Sequence, residues 1–158
     1  MPLTRIAFLS LCLMGSSVGS GATSLKDSPS VEKRLAAAKT SALKLKADAA
    51  ELTAYVRDTD RAFPEKMRIL KDIHAADETL AELEEMKKVA SPRQADTIQQ
   101  VIPLTQDLVE NARDCLEHAT AIDGTATHET RAEYLAGHEE VVNHLVSQIV
   151  EALSGQAK

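Results

Sequence analysis

Five histidines carry the most specific chemistry in this chain, because imidazole binds metals and transfers protons near neutral pH. Di-iron sites in helical bundles place a glutamate three residues before a histidine on two of the helices. The residues at that offset are Lys71, Cys115, Thr125, Leu135 and Val141, and none is a carboxylate. The sequence also has no Cys-x-x-Cys-His for covalent haem. We therefore expect neither of these cofactors.

Three closely spaced pairs are the remaining candidates for metal binding. They are Cys115 with His118, Asp114 with His118, and Glu140 with His144. A closed zinc site needs about four converging ligands, whereas pairs of this spacing are also typical of exposed helix faces. We predict no metal site and no cofactor. A protein that binds metals or small ligands, such as a sensor or a chaperone-like protein, stays open as the alternative.

The other reactive groups form no catalytic motif in the sequence. A nucleophile elbow, a phosphate loop and a dinucleotide glycine pattern do not occur, so we expect no enzyme and assign no catalytic or cofactor-binding residue. Cys115 is interpreted as a small buried side chain rather than a reactive or bridging thiol. His138 falls in an apolar seam. It is either a pH-sensitive core residue or, as we prefer, a residue at the bundle edge bonded to a neighbour.

The spacing of apolar residues predicts four helices that position these groups. Val31, Leu35, Ala38 and Ala42 begin a run with steps of four and three residues, and three similar runs follow. After a flexible leader at 23–30, the predicted helices span about 31–60, 64–89, 92–122 and 127–154. Such rods with short turns imply an all-α fold, an antiparallel four-helix bundle over residues 31–155.

Local signals support two of the helix boundaries. Ser91 followed by Pro92 and Gln94 has the pattern of a capping box, with proline in the first turn. Gly124 suits the left-handed residue that closes a helix. Pro103 lies inside the third predicted helix, where we expect it to remove one hydrogen bond and bend the rod.

The first 22 residues have the pattern of a cleaved signal peptide. Arg5 precedes an apolar run at 6–14, and small residues lead to a cleavage site near Ala22. Lipidation at Cys12 is the alternative, but the preceding residues, Leu9-Ser10-Leu11, put a bulky leucine where a lipoprotein signal has a small residue. The run is too short to span a bilayer and no second apolar segment follows, so we expect an exported mature chain without a transmembrane segment.

Composition excludes several classes of partner. The formal net charge is −6 and aromatic residues make up 3% of the chain. An acidic chain repels phosphate backbones, and few aromatic rings are left for base stacking, so we expect no nucleic-acid binding. The first helix is locally basic, with Leu43 off its apolar seam. We interpret that stretch as a solvated face, with docking or peripheral membrane contact as the alternative; its lysines are Lys33, Lys39, Lys44 and Lys46.

Three segments resemble a group of uncharacterised exported bacterial helical-bundle proteins. They are Leu80-Ala81-Glu82-Leu83-Glu84-Glu85-Met86-Lys87, Ala90-Ser91-Pro92-Arg93-Gln94 and Ile102-Pro103-Leu104. The resemblance implies export and a helical bundle, and it implies no activity. Together with the absence of a catalytic motif, it leads us to expect a periplasmic or extracellular protein that acts by contact with a protein partner or as a homo-oligomer.

Overall fold

Four α-helices form the structure, a computed structural model in which residues 26–59, 63–121 and 127–155 are described. In chain order the helices are α1 (Pro29–Asp58), α2 (Lys66–Met86), α3 (Pro92–Thr120) and α4 (His128–Ser154). These described residues contain no strand. The prediction of an all-helical chain with four helices packed against one another is confirmed. The predicted signal peptide at 1–22 lies outside the described residues.

Both ends of α1, both ends of α2 and the end of α3 differ by two or three residues from the predicted boundaries, with α1 ending at Asp58 and α3 at Thr120. α1 begins at Pro29, inside the predicted leader, because a proline fits the first helical turn. Pro64 and Glu65 form a turn before α2 rather than its first residues. After α2, the amides of Lys88 and Val89 bond to carbonyls three residues back, which tightens residues 87–89 into a turn.

α3 and α4 begin behind capping residues. The Ser91 hydroxyl accepts a hydrogen bond from the Gln94 amide, and the Gln94 side chain accepts one from the Ser91 amide, which completes the predicted capping box. Thr127, where the predicted range of the fourth helix begins, is the N-cap of α4, and its hydroxyl accepts from the amide of Thr130. The Gly124 stop signal lies outside the described residues.

Gln94 also joins the start of α3 to the start of α1. Its Oε1 accepts from the Ser28 amide at 2.9 Å, and its Nε2 donates to the Ser28 carbonyl at 3.1 Å. Nearby, the Ser91 hydroxyl donates to Asp27 at 2.5 Å, and Arg93 pairs with the same carboxylate. These bonds lower the pKa of Asp27, that from Ser91 most and that from Arg93 next. Because Gln94 is fully buried, this junction fixes α1 and α3 with their N-termini at the same end.

The core is asymmetric in cross-section. α1 contacts all three other helices, whereas α2 and α4 have no contact with each other in the described chain. Small side chains let two helix backbones approach closely. The buried positions of α1 and α3, the diagonal pair of helices that are in contact, include several alanines. They are Ala38, Ala42 and Ala49 on α1 and Ala112 and Ala119 on α3.

One arginine links α2 to α1. Arg68 bonds to Asp48 at 2.6 Å and to Glu65 at 2.8 Å, pairs with Glu51, and lies 3.7 Å from Asp72. The Asp48 side chain is buried, and its Oδ2 has no hydrogen-bond partner among the described residues. Burial raises the pKa of Asp48 even though the bond and the charge of Arg68 lower it. For this carboxylate, burial therefore outweighs Arg68 in setting the direction of the pKa shift.

Candidate functional site

Three aromatic rings stack where α3 meets α4. The Tyr134 ring centroid lies 3.8 Å from that of His118, with the planes 27° apart. It lies 4.3 Å from that of His138, with a 39° angle. Partial burial, then the negative charge of Asp114, raises the pKa of the Tyr134 hydroxyl. Because Tyr134 is still 38% exposed, the stack presents an aromatic surface to solvent.

Hydrogen bonds hold both imidazoles in place. His118 Nδ1 lies 2.9 Å from the Asp114 carbonyl oxygen, and His138 Nδ1 lies 3.0 Å from Asn111 Oδ1. An oxygen of this kind accepts, so Nδ1 donates the hydrogen bond on each ring. The bond to Asn111 agrees with the interpretation of His138 as an edge residue that binds a neighbour.

Cys115 lies beneath this cluster and is buried, as the sequence analysis expects. Burial, reinforced by the negative charge of Asp114, raises the pKa of its thiol to about 12. The thiolate is the reactive form of cysteine, so this side chain is a poor nucleophile at neutral pH. It therefore packs as a small apolar group.

A groove runs along the outside of the bundle between α3 and α4. The stack of Tyr134 on His118 lies at one end, and the Asn111–His138 bond crosses the seam further along. At the other end the groove opens to a volume of about 610 Å³. Val141, seven residues after Tyr134 and thus on the same side of α4, is 44% exposed. The open end is lined by Gln100, Pro103, Leu104, Gln148, Glu151, Ala152 and Gly155.

Exposed carboxylates lie on α3 beside this groove and on the outer side of α4. None of them has an ion-pair partner among the described residues. On α2, by contrast, Asp77 pairs with Arg113 and Glu82 pairs with Arg34. The groove between α3 and α4 is therefore an acidic surface with a partly apolar floor. The carboxylates are Asp96, Asp107 and Asp114 on α3 and Glu133, Glu140 and Glu151 on α4.

The basic stretch of α1 divides into paired and unpaired groups. Lys44 bonds to Asp72 at 3.3 Å. Lys33, Lys39 and Lys46 are exposed and pair with no carboxylate that the structure describes. Leu43 is 47% exposed among them. This outer face of α1 is cationic, opposite in sign to the groove.

The remaining histidines lie apart from the groove floor. His74 is exposed on α2, 3.3 Å from Glu78, and His144 is exposed on α4. The described residues hold no group of three or more His, Cys, Asp and Glu side chains placed to bind a metal ion. No helix within those residues is both long and apolar enough to cross a membrane.

Comparison with protein-family models, curated proteins and solved structures gives no match to this chain. Asn111, Tyr134 and Val141 were not predicted from the sequence as surface-forming residues. For two of them the sequence carried a signal in their position. Tyr134 directly precedes the core residue Leu135, and Val141 directly precedes the core residue Val142. Neighbours of a core position point along the edge of the helix–helix contact.

Proposed function

We propose that the chain is an exported, non-enzymatic helical bundle that acts by protein contact in the bacterial envelope. The observation that carries this proposal is the acidic groove between α3 and α4, which combines unpaired carboxylates with the exposed Tyr134 and Val141. Aromatic residues surrounded by a polar rim are typical of protein interfaces. The protonated, buried Cys115 also favours contact over nucleophilic catalysis.

An antiparallel arrangement of the helices belongs to this proposal. Support comes from the order of contacts: from Asp48 to Lys44 to Arg34 along α1, the partners on α2 are Arg68, Asp72 and Glu82. The numbers fall on one helix as they rise on the other. Across the α3–α4 seam, the partners of Asn111 and His118 are His138 and Tyr134, again in opposite order.

Export rests on the pattern of residues 1–22 and on the resemblance to exported helical-bundle proteins. We expect a Gram-negative host expressing the whole chain to release a product cut near Ala22 on osmotic shock, measured by intact mass. A chain that keeps Met1 and stays in the cytoplasmic fraction would contradict export. A mass increase of a lipid on Cys12 would replace simple cleavage with lipidation.

The contact function is tested by photocrosslinking in the intact envelope. A photoreactive residue replaces Val141 in the groove, and the matched control carries it at Lys71, exposed on the outer side of α2. We expect a discrete protein adduct from position 141 and none from position 71, with the adduct identified by mass spectrometry. No adduct at position 141, or equal labelling at both positions, would remove the groove as a contact surface.

A further inference from the structure

One face of α1 carries a strip of exposed small and apolar side chains. Helical spacing places the strip along one side of α1 over about 27 Å. Small residues alone specify no partner, but this strip has a charged border. Lys39, Lys46 and Arg57 lie along one edge of it, exposed and without an ion pair to any described residue. The strip, called here the α1 strip, consists of Ala36, Leu43, Ala47, Ala50 and Ala54.

The spacing of these cations matches that of the aspartates on α3, read in the opposite direction. From Lys39 to Lys46 to Arg57 the steps are seven and eleven residues, or about 10 and 16 Å along a helix. The steps from Asp114 back to Asp107 and then to Asp96 are the same. Glu133, Glu140 and Glu151 repeat these steps along α4 and add to the negative potential of the groove.

We propose that the α1 strip of one copy of this chain lies in the α3–α4 groove of a second copy, antiparallel to α3. In this register Lys39 faces Asp114 and Lys46 faces Asp107, while Arg57 faces Asp96. If the α1 strip ran parallel to α3, the seven-residue step on one helix would lie against the eleven-residue step on the other, and the charges would no longer pair. Charge complementarity therefore identifies a second copy as the occupant of the groove, because one chain carries both the cationic edge and the acidic groove.

The apolar part of the strip fits the same register. With Lys39 opposite Asp114, the α4 residue level with it is Ala136, because Asn111 lies beside His138 and His118 beside Tyr134. Leu43 is then level with Glu140, next to Val141. A Cβ at Gly137 meets no atom within 4 Å, so the space above it is open. Tyr134 and Val141 lie one turn to either side of it, and both are partly exposed. Leu43 of the second copy therefore covers Val141, and Ala36, level with Glu133, covers Tyr134.

The two contact surfaces are different, so the interface is heterologous and association continues beyond a pair unless a ring closes. Its charge pairs are exposed, and salt weakens them by screening. This inference rests on the proposed contact function and names the partner as another copy. The two are separable, because a Val141 crosslink to a different protein keeps the contact function and removes self-association.

Sedimentation velocity of the purified exported chain over a range of concentrations tests the proposal. We expect the weight-average mass to exceed that of a monomer at low salt and to fall in about 1 M salt, where the Debye length is about 3 Å. Lys46→Glu alone and Asp107→Lys alone each weaken association at least tenfold, because each substitution brings two like charges face to face. Lys71→Glu, the same charge change on α2, leaves it unchanged.

Mixing the Lys46→Glu and Asp107→Lys variants in equal amounts restores association, because the carboxylate introduced at position 46 then faces the ammonium introduced at position 107. Gly137→Leu blocks association by filling the open space between Tyr134 and Val141, and circular dichroism checks that this variant stays folded. A wild-type chain that stays monomeric at every concentration would overturn the proposal. So would a mixture that fails to regain association, since repulsion between the reversed charges is then not the cause of the loss.

Discussion

The pair formed by Asp48 and Arg68 predicts an asymmetric response to mutation. Removing Arg68 leaves a carboxylate that is 3% exposed without its main partner, and breaking a buried pair in this way costs about 3–5 kcal/mol. The Arg68 side chain is 41% exposed, which places Arg68→Met near the lower end of that range, because water reaches the site. Asp48→Asn removes the desolvation cost and keeps an oxygen for Arg68. We expect it to change the free energy of unfolding by less than about 1 kcal/mol.

The measurement is urea unfolding followed by circular dichroism at pH 7 and again in acid. In the double variant Asp48→Asn with Arg68→Met, the cost of the arginine loss falls by about 2 kcal/mol, because no charge is then stranded. Lys71→Met, also on α2 but exposed, is the matched control and has little effect.

The pH dependence has a fixed sign. Because the pKa of Asp48 is raised above its ordinary value of 3.8, the folded state holds the proton more tightly than the unfolded state. The stability from this group is present below pH 3.8 and is lost as pH rises through the folded pKa. The penalty of Arg68→Met therefore shrinks on acidification. If Asp48→Asn costs as much as Arg68→Met at pH 7, the pair is net stabilising and the desolvation argument is wrong.

Three further outcomes are expected. Gly137→Ala raises the free energy of unfolding by about 0.5–1 kcal/mol in urea titrations, since alanine favours the helix and its Cβ meets open space; a loss of stability would contradict that geometry. Gln94→Ala lowers it by about 1–3 kcal/mol, because Ser28 loses both bonds to the buried amide, whereas Gln99→Ala on the exposed side of α3 is nearly neutral; equal effects would refute the junction. Cys115 reacts with a thiol reagent only after denaturation, and rapid native labelling would disprove its burial.

The helices could be predicted because apolar residues recur at the spacing of one helix face, so the sequence itself marks the buried positions. The capping box at Ser91 was visible because its residues are adjacent in sequence. Contacts between residues that are far apart in the sequence leave no such local pattern. The Ser28–Gln94 junction and the pairing of Arg68 with Asp48 depend on which helices become neighbours, and the close α1–α3 diagonal became visible only in the packed bundle.

The candidate surface was predictable only in part. His138 was noticeable in the sequence because it falls in an apolar seam, and the basic face of α1 because several lysines lie on that helix. The acidic groove did not, because its six carboxylates are spread over two helices and resemble ordinary solvated residues until α3 and α4 are placed side by side. The stacking of Tyr134 on two imidazoles follows from that same placement.

Register-specific disulfide formation tests the central claim most directly, namely that the groove receives α1 of another copy. In a Cys12→Ser background, chains carrying Lys46→Cys and chains carrying Asp107→Cys are mixed and oxidised, while the buried Cys115 stays protonated. The account predicts a mixed disulfide dimer, and little product when Asp96→Cys replaces Asp107→Cys, because that site is eleven residues out of register. Equal yields from both pairs, or no dimer from either, would contradict it.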